Sequence, residues 1–425
     1  MRMPDRGSAL ALLGLGVFLS VALGVADDRL AYAQASAVPA EDPVARLARR
    51  VERGEVSLDR RPGTGYLRSL LERLDVSVDS QVLVFSKTSF QQAHISPRAP
   101  RAIFFNDAVA VGSVRDSDVL ELVAIDPGRG LNFYTLTPMP SQAPVFERRG
   151  IECVFCHAPG NLGVPGLVVT SVIPNAEGSP FFSGKFFSTT DHRTPFEERW
   201  GGWYVSGTHG SQTHLGNAVA PDPDLPADLD RAGSQNVTTL TRWFDPAGFL
   251  AATSDLVALL TLEHQVGMTN FMTRVAWQYE RAQRFTATDA VARGLDAAIE
   301  DMVTYMLFAD EAPLREPVAG VSTFTRTFPA RGPRDRLGRS LRDFDLRTRL
   351  FKYPLTYLIY SEAFDRLPSG LRRRLYERLH EVLTGKDQSR KFASLSAGDR
   401  RAVLEILLET KPNLPDAWRS SAGGH

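Results

Sequence analysis

The 425-residue chain has only two cysteines, no net charge and no long hydrophobic run after its first 26 residues. A neutral charge balance argues against nucleic acid as a partner and against electrostatic attachment to lipid. Without a later apolar run, the rest of the chain lacks a membrane-spanning segment. We also find no internal repeat and no long low-complexity tract. These absences leave an ordinary globular protein of one or two domains.

Both cysteines lie in one short stretch, ERRGIECVFCHAPG at residues 147–160, where His157 directly follows Cys153 and Cys156. A redox dithiol gives no reason for the histidine, and a zinc site needs further ligands elsewhere in the chain. A c-type haem uses all three residues, because two thiols bind the porphyrin and the histidine binds iron. The motif therefore predicts one covalent haem c. A disulfide or dithiol and a metal site are the alternatives.

The N-terminus predicts export. MRMPDR precedes an uncharged apolar run at residues 9–26, and Ala31-Tyr32-Ala33 fits a signal peptidase site. We expect a signal peptide at 1–33 and a periplasmic protein beginning at Gln34. An uncleaved N-terminal anchor, which would hold the protein at the membrane, is the alternative. Covalent haem attachment takes place in the same compartment, so the motif and the N-terminus agree.

The order of the patterns predicts an α+β fold. Short β-branched and aromatic runs separated by turn residues fill residues 81–208, and helical periodicity dominates from about residue 253. We predict an antiparallel sheet that carries the haem-attachment turn, followed by a mainly helical half. The Pro- and Asp-rich loop at 221–233 suggests a haem-attachment domain at 34–232 and a helical domain at 233–425.

A helix capped by Thr253 or Ser254 contains candidate iron ligands. His264 and Met268 are four residues apart, so they share one helix face. We predict His264 as the sixth ligand, with Met268 second. The same stripe is also typical of the core-facing side of an amphipathic helix. Because the first methionine after His157 is Met268, the chain differs from small electron-shuttle cytochromes.

The stretch DHRTPFEERWGGWYVSGTHGSQTHLGN at 191–217 is the second candidate cluster. Arg193 and Arg199 are predicted to neutralise haem propionates. His192 or His209 beside an arginine would suit peroxide chemistry, and His209 with His214 could hold a metal. Alternatively, all are loop residues satisfied by hydrogen bonds.

Residues 326–352 carry nine Arg/Lys and three Asp. A solvated basic loop is the ordinary interpretation of such a segment. A docking face for an acidic redox partner is the alternative.

The CVFCH motif resembles that of c-type cytochromes. More broadly, the chain resembles a family of exported bacterial proteins with a single c-type haem, through SPRAPRAIFFND, TDHRTPFEERWGGWYVSGTHG, LEHQ and YLIYSEAFDRLP. The resemblance implies haem c and electron transfer with an unidentified redox partner. We therefore expect a periplasmic monohaem electron carrier. A haem-based redox or gas sensor and a haem peroxidase or oxidoreductase are the alternatives.

Overall fold

The computed structural model describes residues 39–139, 143–150, 153, 157, 164–181, 187–221, 229–284 and 289–420. The predicted signal peptide at 1–33 and the second cysteine, Cys156, lie outside the described residues. The other candidate site residues are all described.

A seven-stranded antiparallel sheet forms most of the N-terminal half, in the strand order β6-β5-β4-β3-β2-β1-β9. Its strands are β1 Val82–Val84, β2 Arg101–Phe105, β3 Val109–Val114, β4 Leu120–Asp126, β5 Gly130–Thr137, β6 Val145–Arg149 and β9 Trp203–Tyr204. Gly128 and Gly130 in the β4–β5 turn have φ of 84° and 98°, which glycine adopts without a Cβ clash. The predicted antiparallel sheet is confirmed.

The later short strands do not simply extend this sheet, as their similar sequence style had suggested. β7 Thr170–Val172 and β8 Phe187–Thr189 form a separate pair. β10 Gly207–Thr208 pairs with β11 Ala319–Gly320. Strand β9 alone among them joins the large sheet, against β1.

Helices dominate the C-terminal half, which confirms the α+β prediction. Two helices precede the sheet, α1 Pro43–Glu52 and α2 Leu67–Arg73. The later helices are α3 Leu256–Arg284, α4 Asp289–Met306, α5 Phe324–Ala330, α6 Glu362–Asp365, α7 Ser369–Leu383, α8 Ala397–Thr410 and α9 Asp416–Ser420. None of the described helices is both long enough and apolar enough to span a bilayer.

The long helix α3 begins differently from the expectation. Neither Thr253 nor Ser254 caps it, because the Ser254 hydroxyl donates to the Tyr204 carbonyl and accepts the Leu83 amide of the sheet. Asp255 takes the capping role, with Oδ1 accepting the amides of Val257 and Ala258 at 2.8 and 3.2 Å. The serine therefore fastens the helix start to the sheet instead.

The two faces of the sheet pack against different parts of the chain. One face buries side chains such as Phe104 and Leu122 in a core that includes α1 and α2. The other face contributes Val82 to a larger core that extends through α3 to Trp418. That second core draws on both sequence halves. The boundary predicted at residue 233 stays a prediction, and the described parts of the two halves share this core.

Candidate functional site

Cys153 and His157 lie beside strands β4 and β5. Both residues have helical backbone. Cys153 packs at the edge of a small apolar cluster formed by Ile125, Leu131 and Phe133. These side chains occupy the sheet face opposite α1 and α2. The described part of the motif therefore stands over an apolar patch of the sheet.

The imidazole of His157 is oriented by its own loop. Nδ1 lies 3.0 Å from the Gly166 carbonyl, and the Gly166 amide donates to the His157 carbonyl at 2.6 Å. The ring also packs against Phe133, with centroids 4.7 Å apart. Because a carbonyl only accepts, Nδ1 must carry the proton, and Nε2 is left with the lone pair of a neutral ring. Burial lowers the pKa of His157, which favours that neutral form.

A charged pair on the same sheet face lies near His157. Arg101 and Glu121 are joined at 2.5 Å, and both influence the pKa of the imidazole. Arg101 Nε is buried without a hydrogen-bond partner among the described residues. Strand alternation alone could have assigned both residues to the face that carries Phe133, but no local pattern predicts that Cys153 and His157 lie over that face.

An amide clamp joins the segment after His157 to helix α3. Asn270 accepts from the Leu167 amide at 2.8 Å and donates to the Leu167 carbonyl at 2.7 Å. Two residues further on, the Val169 carbonyl accepts the Thr190 amide at 2.8 Å. The segment is thus held against both the helix and the start of the second candidate cluster.

Arg199 and Glu263 form a buried ion pair at that position. Arg199 Nη1 donates to Glu263 Oε2 at 3.0 Å, and the two side chains are 3% and 0% exposed. Glu263 Oε1 accepts from the Thr190 hydroxyl at 2.7 Å. Burial nevertheless raises the pKa of Glu263 to about 7, because removal from water outweighs the nearby guanidinium.

The remaining Arg199 hydrogen bonds go to backbone. Nη2 donates to the His192 carbonyl at 3.0 Å and Nε donates to the Thr194 carbonyl at 2.7 Å. The guanidinium therefore fixes the 192–199 loop to α3. A role for Arg199 at haem propionates stays a prediction and would compete with these contacts.

Arg193 is more accessible to solvent than Arg199 is. Its guanidinium pairs with Asp191 at 2.5 Å and lies 5.1 Å from the Tyr305 ring centroid. Asp310 is 3.9 Å away, and the Arg193 side chain is 42% exposed. This residue keeps enough contact with solvent to exchange partners, so its predicted role at propionates requires less rearrangement than that of Arg199.

Two buried histidines, His192 and His264, form a chain of hydrogen bonds with Thr356. His192 Nδ1 and His264 Nδ1 lie 2.8 Å apart, and His264 Nε2 lies 2.8 Å from the Thr356 hydroxyl. Burial lowers the pKa of both rings, so both are neutral near pH 7. His192 Nε2 is buried without a hydrogen-bond partner among the described residues, and Asp310 is 3.8 Å away.

The predicted axial ligands lie in the interior of the helical half. Both ring nitrogens of His264 are engaged, and the ring stacks on Phe308 with centroids 4.2 Å apart. Met268 is fully buried in the core shared by the two halves. The described contacts of His157, with Phe133 and Gly166, include neither residue. His264 and Met268 as iron ligands therefore stay predictions.

His209 and His214 pack together but present no donor set for a metal. His209 Nε2 accepts the Asn236 amide at 3.0 Å, and His214 Nδ1 accepts the Gly216 amide at 3.0 Å. In the neutral rings, the other nitrogen of each therefore carries hydrogen instead of a lone pair. Among the described residues, no group of three or more His, Cys, Asp or Glu side chains is arranged to hold a metal ion.

The basic segment at 326–352 is largely neutralised from within the molecule. Its arginines form ion pairs with acidic residues: Arg331 with Asp75, Arg334 with Asp343, Arg336 with Glu409, Arg339 with Asp335 and Glu405, Arg342 with Asp107, and Arg349 with Asp399. These pairs weaken the segment as a source of positive potential for a partner. Docking by a redox partner stays a prediction.

Several residues that organise the site were not among the sequence-based candidates. Gly166, Asn270 and Thr356 act through contacts that join distant parts of the chain, and no local motif marks them.

Comparison with protein-family models, with curated proteins and with solved structures found no match for the chain.

Proposed function

We propose that the protein carries one haem c, attached through Cys153 and Cys156 with His157 as the proximal ligand, and that it transfers electrons in the periplasm. The observation that carries the proposal is the hydrogen bond from His157 Nδ1 to the Gly166 carbonyl, 3.0 Å long. Histidines that bind metals are commonly oriented by such a bond, which leaves Nε2 as the donor nitrogen.

Part of the surroundings of His157 is apolar, which supports the proposal because a porphyrin has largely apolar faces. Cys153 and Phe133 provide an apolar wall, and the charged Arg101 lies on the same sheet face. Two cations could pair with the haem propionates. One is Arg101, whose Nε has no hydrogen-bond partner among the described residues, and the other is Arg193, which is partly exposed. When bound, haem iron supplies one-electron exchange at a potential set by its ligands and burial.

The chain's own residues then have distinct tasks. His157 supplies the donor nitrogen and Gly166 fixes the direction of the ring. The clamp between Asn270 and Leu167 holds this loop on α3, so that the loop has a rigid support. Rigid support favours electron transfer, because a fixed ligand geometry lowers the reorganisation that each redox step requires.

A ligand-binding role, as a sensor or a peroxidase-type enzyme, is the second candidate. It is favoured by the positions of His264, whose two nitrogens are already hydrogen-bonded, and Met268, which is buried in the core. If neither residue reaches the iron, a sixth coordination position is open to a small molecule. A spectrum of the reduced protein with and without CO separates the two candidates.

The test of haem attachment is mass spectrometry of the full-length protein, exported in a host with a cytochrome c maturation system. The expected product keeps the mass of one haem after acid–acetone extraction. The Cys153→Ala/Cys156→Ala double variant is the negative control. His157→Ala removes the proposed proximal ligand, and its matched control is His94→Ala, which changes an exposed histidine. Two thiols or a plain disulfide without added haem mass would overturn the proposal.

A further inference from the structure

A cleft of about 410 Å³ is lined by residues of the sheet face that packs against α1 and α2, whereas Cys153 packs on the other face. Three segments form its walls: the loop 60–67, the β3–β4 turn at 113–118 and residues 248–250. Cavities of this size are typical of sites that enclose a small organic molecule. Nothing in the haem proposal uses this cleft, so the two can be tested separately.

Buried apolar side chains lie behind the cleft: Leu67, Phe104 and Leu120 line it and belong to the core between the sheet and helices α1 and α2. The apolar surface that a ligand could reach comes from Tyr66, Phe249 and Leu250, which are partly exposed. A ligand with an apolar body would remove this surface from water, which is favourable in proportion to the area covered.

The rim of the cleft is cationic. Arg60, Arg61 and Arg115 all line it. Arg60 is paired with Asp118 at 3.1 Å. In the part of the chain that the structure describes, Arg61 and Arg115 make no ion pair, and Asp116 is the other acidic residue of the lining. The cleft thus has one more positive than negative charge.

The loop that presents Arg61 is tightly held. The amide of Arg61 donates to the Gly65 carbonyl at 2.8 Å, and the Gly65 amide donates back at 2.9 Å. Gly63 and Gly65 have φ of 76° and 55°, a region in which side chains with a Cβ are strained. A loop fixed in this way loses little conformational entropy when a ligand binds.

We propose that this cleft binds a small organic carboxylate with an apolar body. The carboxylate would be held by Arg61 and Arg115, because the guanidinium fork matches two carboxylate oxygens. The apolar body would lie against Tyr66, Phe249 and Leu250, the partly exposed apolar side chains of the lining. Neither inorganic anions nor neutral apolar molecules satisfy both halves of such a site.

The test is calorimetric titration of the full-length exported protein with 1-naphthoate as the probe. Its neutral amide, 1-naphthamide, and inorganic phosphate are the chemical controls. We expect saturable binding of 1-naphthoate, and we expect Arg61→Gln or Arg115→Gln to weaken it about tenfold or more. Arg115→Lys should restore part of the affinity, because it keeps the charge but not the fork.

Arg326→Gln, at another exposed arginine, is the matched control and should leave binding unchanged. All three positions are exposed, so melting curves should show that the variants stay folded. The proposal is overturned if 1-naphthoate does not bind, if 1-naphthamide binds as tightly, if only phosphate binds, or if the Arg61 and Arg115 variants bind like the unmodified protein.

Discussion

The imidazole rings of His192 and His264 are joined through their Nδ1 atoms, 2.8 Å apart, in the interior of the helical half. One of the two nitrogens must carry the hydrogen, so the two neutral rings adopt complementary tautomers. The far nitrogen of His264 meets the Thr356 hydroxyl. Removing one member of this chain of hydrogen bonds leaves a buried polar atom without a partner. The resulting loss in the free energy of unfolding can be measured.

For His264→Ala we expect a loss of about 2–4 kcal/mol in the free energy of unfolding, from an unpaired His192 and a cavity. Thr356→Val should cost about 1–2 kcal/mol, since it removes only the hydroxyl partner. Urea denaturation measures both. If His264 is structural, neither change alters the visible spectrum. A change to a high-spin spectrum in His264→Ala alone would instead establish it as the sixth ligand.

Met268→Leu tests the second predicted ligand with little disturbance of packing. The two side chains have similar volumes, so we expect a stability change below about 1.5 kcal/mol. The substitution removes the sulfur, and a spectrum like that of the unmodified protein is expected if Met268 only fills the core. Appearance of CO binding in this variant, with none before, would assign the sulfur to iron.

The buried pair of Arg199 and Glu263 predicts strong coupling between the two residues. Glu263→Met leaves the Arg199 charge buried without its partner, and we expect a loss of about 3–5 kcal/mol. Arg199→Met should cost less near pH 7, because loss of the guanidinium favours the neutral Glu263 carboxyl. The double variant should lose much less than the sum of the two. A double-mutant cycle by chemical denaturation measures the coupling, and additive losses would show that the pair is not a unit.

The buried imidazoles predict loss of stability in acid. Burial lowers the pKa of His192 and His264, and it lowers that of His214 to about 3. In the unfolded chain these rings take up protons near pH 6.5, so below that pH the unfolded state binds more protons and the free energy of unfolding falls. Each ring contributes at most about 1.4 kcal/mol per pH unit.

Glu263 acts in the opposite direction. Its pKa is raised to about 7 in the folded protein, so its contribution is present below about pH 4.5 and is lost as the pH rises through 7. Melting temperatures between pH 4 and pH 8 measure the sum of the histidine and Glu263 contributions.

A His214→Asn variant should lose less stability in acid than the unmodified protein does. An equal dependence of melting temperature on pH would contradict the assignment to His214.

Two glycines form a matched pair for testing close packing. A Cβ on Gly201 would overlap the Val172 carbonyl oxygen, whereas a Cβ on Gly294 in helix α4 meets nothing within 4 Å. Gly201→Ala should destabilise the protein by about 2 kcal/mol or more, through displacement of backbone. Gly294→Ala should stabilise it by up to about 1 kcal/mol, since alanine favours a helix. Thermal denaturation compares the two.

Local sequence patterns were enough to predict many of the strands and helices. The contacts of the candidate site join distant parts of the chain, and local patterns do not predict them. Strands β2 to β5 follow one another through short turns, so alternation and turn residues were enough to predict them. The prediction that Arg199 binds propionates rests on its guanidinium fork and stays untested, whereas its contact with a glutamate on α3 was not predicted. Such a partner cannot be read from either local sequence. The same holds for the Asp255 cap, where two neighbouring hydroxyl residues offered plausible alternatives.

The last strand of the large sheet has a consequence for the folding pathway. Leu83 in β1 pairs with Tyr204 in β9, and the Leu83 amide also meets the Ser254 hydroxyl. Closing so long a loop is entropically costly, so we expect the β1–β9 pairing to form late and to leave one edge of β1 open until then. Open edges invite pairing with other chains. Residues 147–160 lie inside this loop, so, if haem is attached to Cys153 and Cys156 as proposed, late closure would leave time for attachment before the sheet is complete.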